Sequence, residues 1–162
     1  MHCTCSQYPP LDLSRASINK RIRDTKAILK PLVLLAVSGA SKLKLFQCPQ
    51  CAQHWQTGWE WGLGGTEYAF QVPPIAVKEW QEEPCGQPAA WMIYTASMQD
   101  YYAKNTFEPS DKPCRVAQCP NQAIKLSGVC EHHHIEQLQQ FGMLPKRPVG
   151  RLFPPYHFNA PA

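Results

Sequence analysis

Seven of the eight cysteines lie in closely spaced groups, and these groups are the part of the chain best suited to chemistry. A short turn aims two such side chains at one point, and zinc takes four thiolate or imidazole ligands in a tetrahedron. The spacing therefore predicts two structural Zn²⁺ ions. The candidate ligands are Cys3, Cys5, Cys48 and Cys51 for site A, and Cys114, Cys119, Cys130 and His133 for site B.

Site A leaves one alternative open. Cys3 and Cys5 stand close to the first residue, and chain termini are often poorly ordered. If this pair is incidental, the Cys-x2-Cys pair in "CPQC" would recruit Cys85, His54 or both. Two glutamates precede Cys85, and negative neighbours disfavour a reactive thiolate, so Cys85 is interpreted as an ordinary cysteine.

Site B leaves the identity of its histidine open. His133 forms Cys-x2-His with Cys130, a spacing with which one helical turn presents both ligands to one ion. His134, four residues after Cys130, is an alternative, and His132 is a weaker one. A solvated histidine cluster beside buried cysteines is the other explanation, but three cysteines around Cys-x2-His favour a metal site.

Catalysis is not favoured by these residues. Both sites are closed by cysteine, whereas a metallohydrolase needs an open coordination position and a general base. The chain contains no P-loop, no HExxH, no Ser/His/Asp order and no paired-carboxylate signature, and "CPQC" lacks the upstream H-x-E of the cytidine deaminases. A zinc-dependent nuclease or other hydrolase is therefore the least favoured function.

The first element that must position these ligands is a basic amphipathic helix. The residues of one predicted helix face, mostly apolar, recur every three or four positions, at Ile18, Ile22, Thr25, Leu29, Leu32 and Ala36. Ser14 or Ser17 could cap its start, Gly39 could end it, and Pro31 predicts a kink or a break. The remaining faces are predicted to carry Lys20, Arg21, Arg23, Lys26 and Lys30.

The following elements are strands and short helices. "KLKLFQCPQC" indicates a strand that leads into the Cys-x2-Cys turn at its end. Trp55, Thr57, Trp59 and Trp61 alternate along the next strand, a turn at Gly62, Gly64 and Gly65 follows, and "TEYAFQV" returns. Helices are predicted at "IAVKEWQEE", "PAAWMIYTASMQDYYAK" and "EHHHIEQLQQFG", with Gly142 ending the last and "NTFEPSDKP" as a linker. The Pro-rich tail could be anchored by Phe153, Tyr156 and Phe158.

These elements predict an α+β fold, a small zinc-ribbon-like antiparallel sheet with packed helices and a C-terminal zinc module. The predicted domains are a zinc-ribbon-like domain at 1–110 with the basic helix inserted, a Cys3His zinc module at 111–144 and a Pro-rich tail at 145–162. No signal peptide or apolar run of bilayer length is recognised, so a reducing, cytoplasmic location is expected.

Two motifs carry a resemblance to known zinc proteins. "LFQCPQCAQHWQ" resembles zinc ribbons with a "CPxCGxxW" motif, although Ala52 stands where those have glycine. The second motif, "C-x4-C … A … G-x-C-x2-H", resembles small modules of bacterial and phage proteins, with matching residues Cys114, Cys119, Ala123, Gly128, Cys130 and His133. Their order resembles bacterial double-zinc proteins over most of 1–142, which implies a scaffold without a defined activity.

Charge is unevenly distributed along the chain. The net charge is +6 over 1–46, −5 over 47–113 and +3 over 114–162. We expect a non-enzymatic protein that acts through protein–protein interaction, with an acidic middle suited to an immunity- or inhibitor-type role against a basic partner. The tryptophan stripe would help docking if exposed, although such a strand face is usually core.

Nucleic-acid binding is the alternative function. Phosphate contacts would come from the basic helix and from the tail residues Lys146, Arg147 and Arg151. The acidic middle interrupts a continuous electrostatic track, which argues against this function.

Overall fold

The fold is α+β, as the sequence predicts. A computed structural model describes residues 3–60 and 65–153. One sheet has four antiparallel strands in the order β1-β2-β3-β4, and a second pairs β5 with β6. The elements are α1 Arg15–Leu29, β1 Val33–Val37, β2 Lys44–Gln47, β3 His54–Trp59, β4 Glu67–Val72, α2 Val77–Glu82, α3 Pro88–Lys104, β5 Pro109–Pro113, β6 Gln122–Ile124 and α4 Glu131–Gln140.

The chain forms two compact units. The first contains the residues up to Met92 together with those from Pro148 onward, and the second contains Ile93–Arg147. Helix α3 begins in the first unit and ends in the second. The domain boundaries proposed from the sequence, at 110 and 144, stay predictions.

Helix α1 begins where the sequence predicts but ends early. The Ser14 side chain accepts a hydrogen bond from the Ser17 backbone N–H, at 3.2 Å, so Ser14 is the N-cap. The prediction that the helical face continues to Ala36 and ends at Gly39 is wrong. Pro31 breaks the helix, and the β-branched, apolar run after it pairs with β2 as strand β1.

The sequence predicts Arg21 on a solvent-exposed face of α1. This prediction is wrong, because Arg21 is buried. Its guanidinium donates hydrogen bonds to the carbonyl oxygens of Ala69 (3.2 Å) and Pro9 (2.7 Å). Its Cζ also lies 5.7 Å from the ring centroid of Trp55. Helix α1 packs on β4, and Thr25 of the same buried face accepts from the Ala69 N–H, so this face is more polar than its periodicity suggested.

The predicted strand pair β3–β4 is confirmed, and its aromatic face is core. Trp55 pairs with Gln71 and Thr57 with Ala69 in antiparallel register. Trp55 and Thr57 are buried and Trp59 is half-buried, so these side chains do not form an exposed docking stripe. The predicted positions Trp61, Gly62 and Gly64 lie outside the described residues.

The other face of β3 carries a buried amide. Gln56 is fully buried and accepts hydrogen bonds from the Trp80 indole N–H (2.7 Å) and the Cys85 backbone N–H (3.0 Å). Its amide nitrogen donates to the Cys85 carbonyl oxygen at 2.8 Å. One side chain therefore connects the sheet to α2 and to the loop before α3.

The chain returns to the first unit after residue 147. Arg151 forms a parallel bridge with Cys85, and the Phe153 ring stacks on Phe70 with centroids 6.1 Å apart. At Gly150 the backbone has φ +117°, and a Cβ there would lie 2.6 Å from the Gly86 Cα. Phe153 is therefore an anchor, as predicted, whereas the predicted anchors at 156 and 158 lie outside the described residues.

The second unit contains the four site B residues. Its apolar core contains Met98, Ile135 and Leu144. The predicted linker "NTFEPSDKP" is in part wrong, because Pro109–Pro113 forms β5 and pairs with β6. Helix α4 ends before Gly142, whose φ of +73° suits glycine, as predicted.

Candidate metal centres

Site B brings together three sulfur atoms and one ring nitrogen. The Cys119 and Cys130 Sγ atoms are 3.8 Å apart. The Nδ1 atom of His133 lies 3.4 Å from the Cys114 Sγ and 3.3 Å from the Cys130 Sγ. All four ligand atoms lie within 4.8 Å of one another, so the cluster could hold a metal ion.

Local backbone geometry creates this arrangement. The Cys114 N–H donates to the Asn121 carbonyl oxygen, at 3.0 Å, and the Cys119 N–H donates to the Val116 carbonyl oxygen. These bonds close the turn between the first two cysteines of site B. Gln118 has a φ of +63°, a left-handed conformation that turns the knuckle back on itself. Cys130 is the N-cap of α4, so the first turn of that helix carries His133 toward the cysteines.

Hydrogen bonds to sulfur favour the thiolate forms of two of the three site B cysteines, Cys114 and Cys130. Burial opposes ionisation of Cys114, but hydrogen bonds to its sulfur, led by those from the backbone N–H groups of Val116 and Cys130, together lower its pKa. For Cys130, burial is likewise offset, chiefly by the His133 backbone N–H, and its pKa is lowered. The Cys130 N–H lies 3.3 Å from the Cys114 Sγ, which links the two ligands directly. Metal ligation requires thiolate, so these contacts prepare the site.

The structure places the three histidines differently. His133 faces the cysteines through Nδ1. The His134 Nε2 lies 3.1 Å from the Tyr101 hydroxyl oxygen, and the His132 Nε2 lies 3.3 Å from a Glu136 carboxylate oxygen. Among the alternatives left open by the sequence, only His133 belongs to the described four-ligand cluster.

Site A brings together the four predicted cysteines. Cys3, Cys5, Cys48 and Cys51 have sulfur atoms within 4.8 Å of one another, all are free thiols, and the cluster could hold a metal ion. Cys5 and Cys48 are buried, whereas Cys51 is exposed. A 3₁₀ turn at Cys5–Gln7 begins at the second cysteine of the first pair, and the loop between β2 and β3 carries the second pair.

The "CPQC" turn of site A needs a left-handed backbone conformation at the residue immediately after Cys51. Ala52 has a φ of +61°, and its N–H donates to the Cys48 carbonyl oxygen at 3.0 Å. Zinc ribbons of the resembled type have glycine here because glycine adopts this conformation without steric cost. The turn therefore forms with alanine, in a conformation that costs an L-residue energy.

The thiols of site A have unequal acidity. Burial opposes ionisation of Cys48, but the backbone N–H groups of Cys51 and Gln50 bond to its sulfur and lower its pKa to about 7. Burial raises the pKa of Cys5 to about 12, against an opposing contact with the Trp55 indole. Cys48 is therefore the more acidic of these two thiols.

Cys85 and His54 lie outside both clusters. Cys85 is buried, and burial raises its pKa to about 11 against the influence of Arg151, with Glu83 adding to the rise. It is paired through its backbone with Gln56 and Arg151, which is a packing role. His54 is buried in β3, and neither residue is in a described group of metal-ligand atoms.

Sequence reasoning missed one residue beside site B. Glu136 faces the two imidazoles of His132 and His133, and the three ligand groups lie within 4.8 Å of one another. The signal was present as spacings of three and four residues along α4, which place these side chains on one helix face. It went unread because Glu136 is not a usual ligand of a cysteine-rich site.

Comparisons with known proteins add no assignment: no family model, no curated protein and no solved structure matches this chain. The resemblance to double-zinc proteins therefore stays a prediction. Within residues 3–60 and 65–153, none of the helices combines the length and apolar character needed to cross a bilayer.

Proposed function

We propose that both centres bind Zn²⁺ and that the ion has a structural role. With Zn–S near 2.3 Å and Zn–N near 2.0–2.1 Å, a tetrahedron separates two sulfurs by about 3.8 Å and sulfur from nitrogen by about 3.5 Å. The S–S distance of 3.8 Å and the S–N distances of 3.4 and 3.3 Å at site B support this. Within the described residues the sulfurs are unbridged, which supports metal binding over disulfides.

The closed ligand sets favour a binding protein over an enzyme. Each cluster supplies four protein ligands, whereas catalytic zinc keeps a position for water or substrate. With three or four thiolates around each dication, the ions would be electron-rich and poor at polarising a substrate. The ions would hold loops in place, and function would then depend on a surface. This observation carries the proposal of a zinc-stabilised binding protein that acts through protein–protein interaction.

The surface we propose for that interaction is the edge strand β1. It lies at the end of the sheet order and pairs with β2 along one side. Three of its five side chains are exposed apolar groups: Val33 at 51%, Leu34 at 50% and Val37 at 43%. An exposed apolar edge invites pairing with another chain, so natural proteins usually protect it.

The partner we propose is an extended apolar segment with basic residues at its flanks, added to β1 as a further strand. Strand addition supplies backbone hydrogen bonds, and side-chain contacts supply specificity. Helix α2 contacts β1 and carries exposed Glu79 and Glu82 beside one exposed lysine, Lys78. Glu83 follows the helix and pairs with Arg151 at 3.9 Å. This acidic border favours a basic partner of the kind that an immunity- or inhibitor-type protein covers.

A comparative capture experiment tests this surface. The variant Val33→Thr/Leu34→Thr/Val37→Thr removes the apolar edge while threonine preserves strand propensity. The control is Val149→Thr, since Val149 is 90% exposed and belongs to the same unit. Wild type and control should capture the same host protein, identified by mass spectrometry, and the triple variant should lose it at unchanged melting temperature. Equal capture by all three would contradict this surface.

Nucleic-acid binding remains the second function, and one observation favours it. Lys26 and Lys30 line a surface depression of about 660 Å³ beside α1, which apolar Ile22 and Leu29 and the acidic Glu67 also line. Against it, Lys20 pairs with Asp24 at 2.7 Å and Arg21 is buried. Phosphate binding should weaken steeply with salt. We expect weak binding that Lys20→Gln/Arg23→Gln/Lys26→Gln leaves unchanged, and tight salt-sensitive binding lost in that variant would reverse this order.

A further inference from the structure

One carboxylate lies against two imidazole rings on the outer side of site B. A Glu136 oxygen is 3.3 Å from the His132 Nε2, and its other oxygen is 4.0 Å from the His133 Nε2. His133 turns its other nitrogen, Nδ1, toward the Cys114 and Cys130 sulfurs. The imidazole of His133 therefore lies between the cysteines on one side and Glu136 on the other.

We infer that Glu136 is a positioning residue for site B, which orients His133 by accepting a hydrogen bond from its Nε2–H. The inference rests on the proposed zinc site. A histidine that binds a metal through Nδ1 must carry its proton on Nε2, so this atom is a donor in the loaded protein. Carboxylates that accept from the far nitrogen of a ligating histidine fix its tautomer and ring orientation and raise its basicity.

The helix supplies the geometry for this contact. Glu136 is three residues after His133 and four after His132, so all three project from one face of α4. The 4.0 Å separation exceeds the roughly 2.7–3.2 Å of an N–H···O hydrogen bond, and rotation within the Glu136 side chain can close it. The His133 side chain is 21% exposed against 48% for Glu136, so the imidazole is the more buried of the two groups.

Metal binding should strengthen the contact. A cation on Nδ1 withdraws electron density from the ring, which makes the Nε2–H a stronger donor toward a carboxylate. Three thiolates around a dication leave site B with a net charge near −1, so Glu136 gains nothing from simple attraction to the centre. The directional N–H···O bond, and not the charge of the site, is therefore what holds the carboxylate there. His132 holds the second oxygen and keeps the carboxylate on this face.

The test uses the zinc-loaded full chain and three variants. Glu136→Ala removes the acceptor, Glu136→Gln keeps a neutral oxygen acceptor, and Gln137→Ala is a control at the next exposed helix position. A chelator competition measures zinc retention at sites A and B, and ¹⁵N-detected NMR measures the exchange of the His133 Nε2 proton with water. The exchange rate reports the hydrogen bond itself, which a merely structural role of Glu136 would leave unchanged.

Glu136→Ala should weaken zinc retention at site B by about 10- to 100-fold, the range found for lost outer partners of metal-bound histidines, with site A unchanged. The His133 Nε2 proton should exchange faster, Glu136→Gln should recover most of both effects, and Gln137→Ala should match wild type. Unchanged retention, or unchanged proton exchange, in Glu136→Ala overturns this inference alone. A wild-type protein that holds no zinc at site B overturns the proposed function as well.

Discussion

Replacing Ala52 by glycine should stabilise the first unit, an unusual direction for a substitution to glycine. Ala52 is exposed, follows the "CPQC" knuckle and has a φ of +61°. Its N–H closes the turn by donating to the Cys48 carbonyl oxygen at 3.0 Å. The turn therefore imposes this conformation on Ala52 against the intrinsic preference of alanine. Glycine would adopt the same backbone angles without a Cβ contact.

The magnitude follows from two opposing terms. A left-handed conformation costs an L-residue about 1–2 kcal/mol, and Ala52→Gly relieves this. Glycine loses more conformational freedom than alanine on folding, which destabilises the variant by about 0.5–1 kcal/mol and offsets part of this gain. The net expectation is a stabilisation of about 0.5–1 kcal/mol. Site A is complete only when this turn is formed, so the same free energy should raise its zinc affinity. A tenfold change in affinity corresponds to about 1.4 kcal/mol, so the expected rise is about two- to fivefold.

Thermal unfolding of the zinc-loaded protein and chelator competition measure the two effects. For a chain of this size, 1 kcal/mol shifts the melting temperature by about 2–4 °C. The matched control is Ala27→Gly, at an exposed position inside α1, where glycine should destabilise by about 0.5–1 kcal/mol. The two substitutions are chemically identical and should act in opposite directions. If Ala52→Gly destabilises as Ala27→Gly does, the left-handed turn is refuted.

Three further changes test the first unit. Gln56→Met should destabilise it by about 2–4 kcal/mol in chemical denaturation, because it leaves the Trp80 N–H and both backbone groups of Cys85 without these hydrogen-bond partners. A destabilisation under 1 kcal/mol would mean that water replaces the amide. Gly150→Ala should lower the melting temperature, because its Cβ would meet the Gly86 Cα at 2.6 Å, and an unchanged value would disprove this close approach. Cys85, with its pKa raised to about 11 by burial, should resist alkylation at pH 7.5 until denaturant is added, whereas rapid native labelling would show an accessible thiol.

The parts of the fold predicted best from the sequence are those fixed by short-range geometry. The Cys-x2-Cys and Cys-x2-His spacings place two ligands on one turn, and alternation along β3 fixes which side chains share a face. The segment after Pro31 shows the limit of such reasoning. Its apolar residues match a helical repeat and a strand equally well over so few positions, and pairing with β2 decides the outcome.

Other features depend on contacts between distant residues and left no local signal. The parallel bridge of Arg151 to Cys85 brings the C-terminal segment back to a loop far away in sequence. The burial of Arg21 depends on the Ala69 carbonyl oxygen of β4, which a helical repeat cannot reveal. Glu136 at site B is an intermediate case, since its spacing on α4 was readable although its chemistry differs from that of the cysteines.

The central claim is that each of two four-ligand clusters binds one Zn²⁺ ion for structural purposes. Native mass spectrometry of purified, untagged protein tests it most directly, with Cys48→Ser and Cys130→Ser as single-site variants. Structural zinc contributes roughly 10–16 kcal/mol of apparent binding free energy at neutral pH, so it should survive purification. We predict two zinc ions in the wild type and one in each variant, lost from a different unit each time. One ion or none in the wild type, or two ions retained in either variant, would contradict the account.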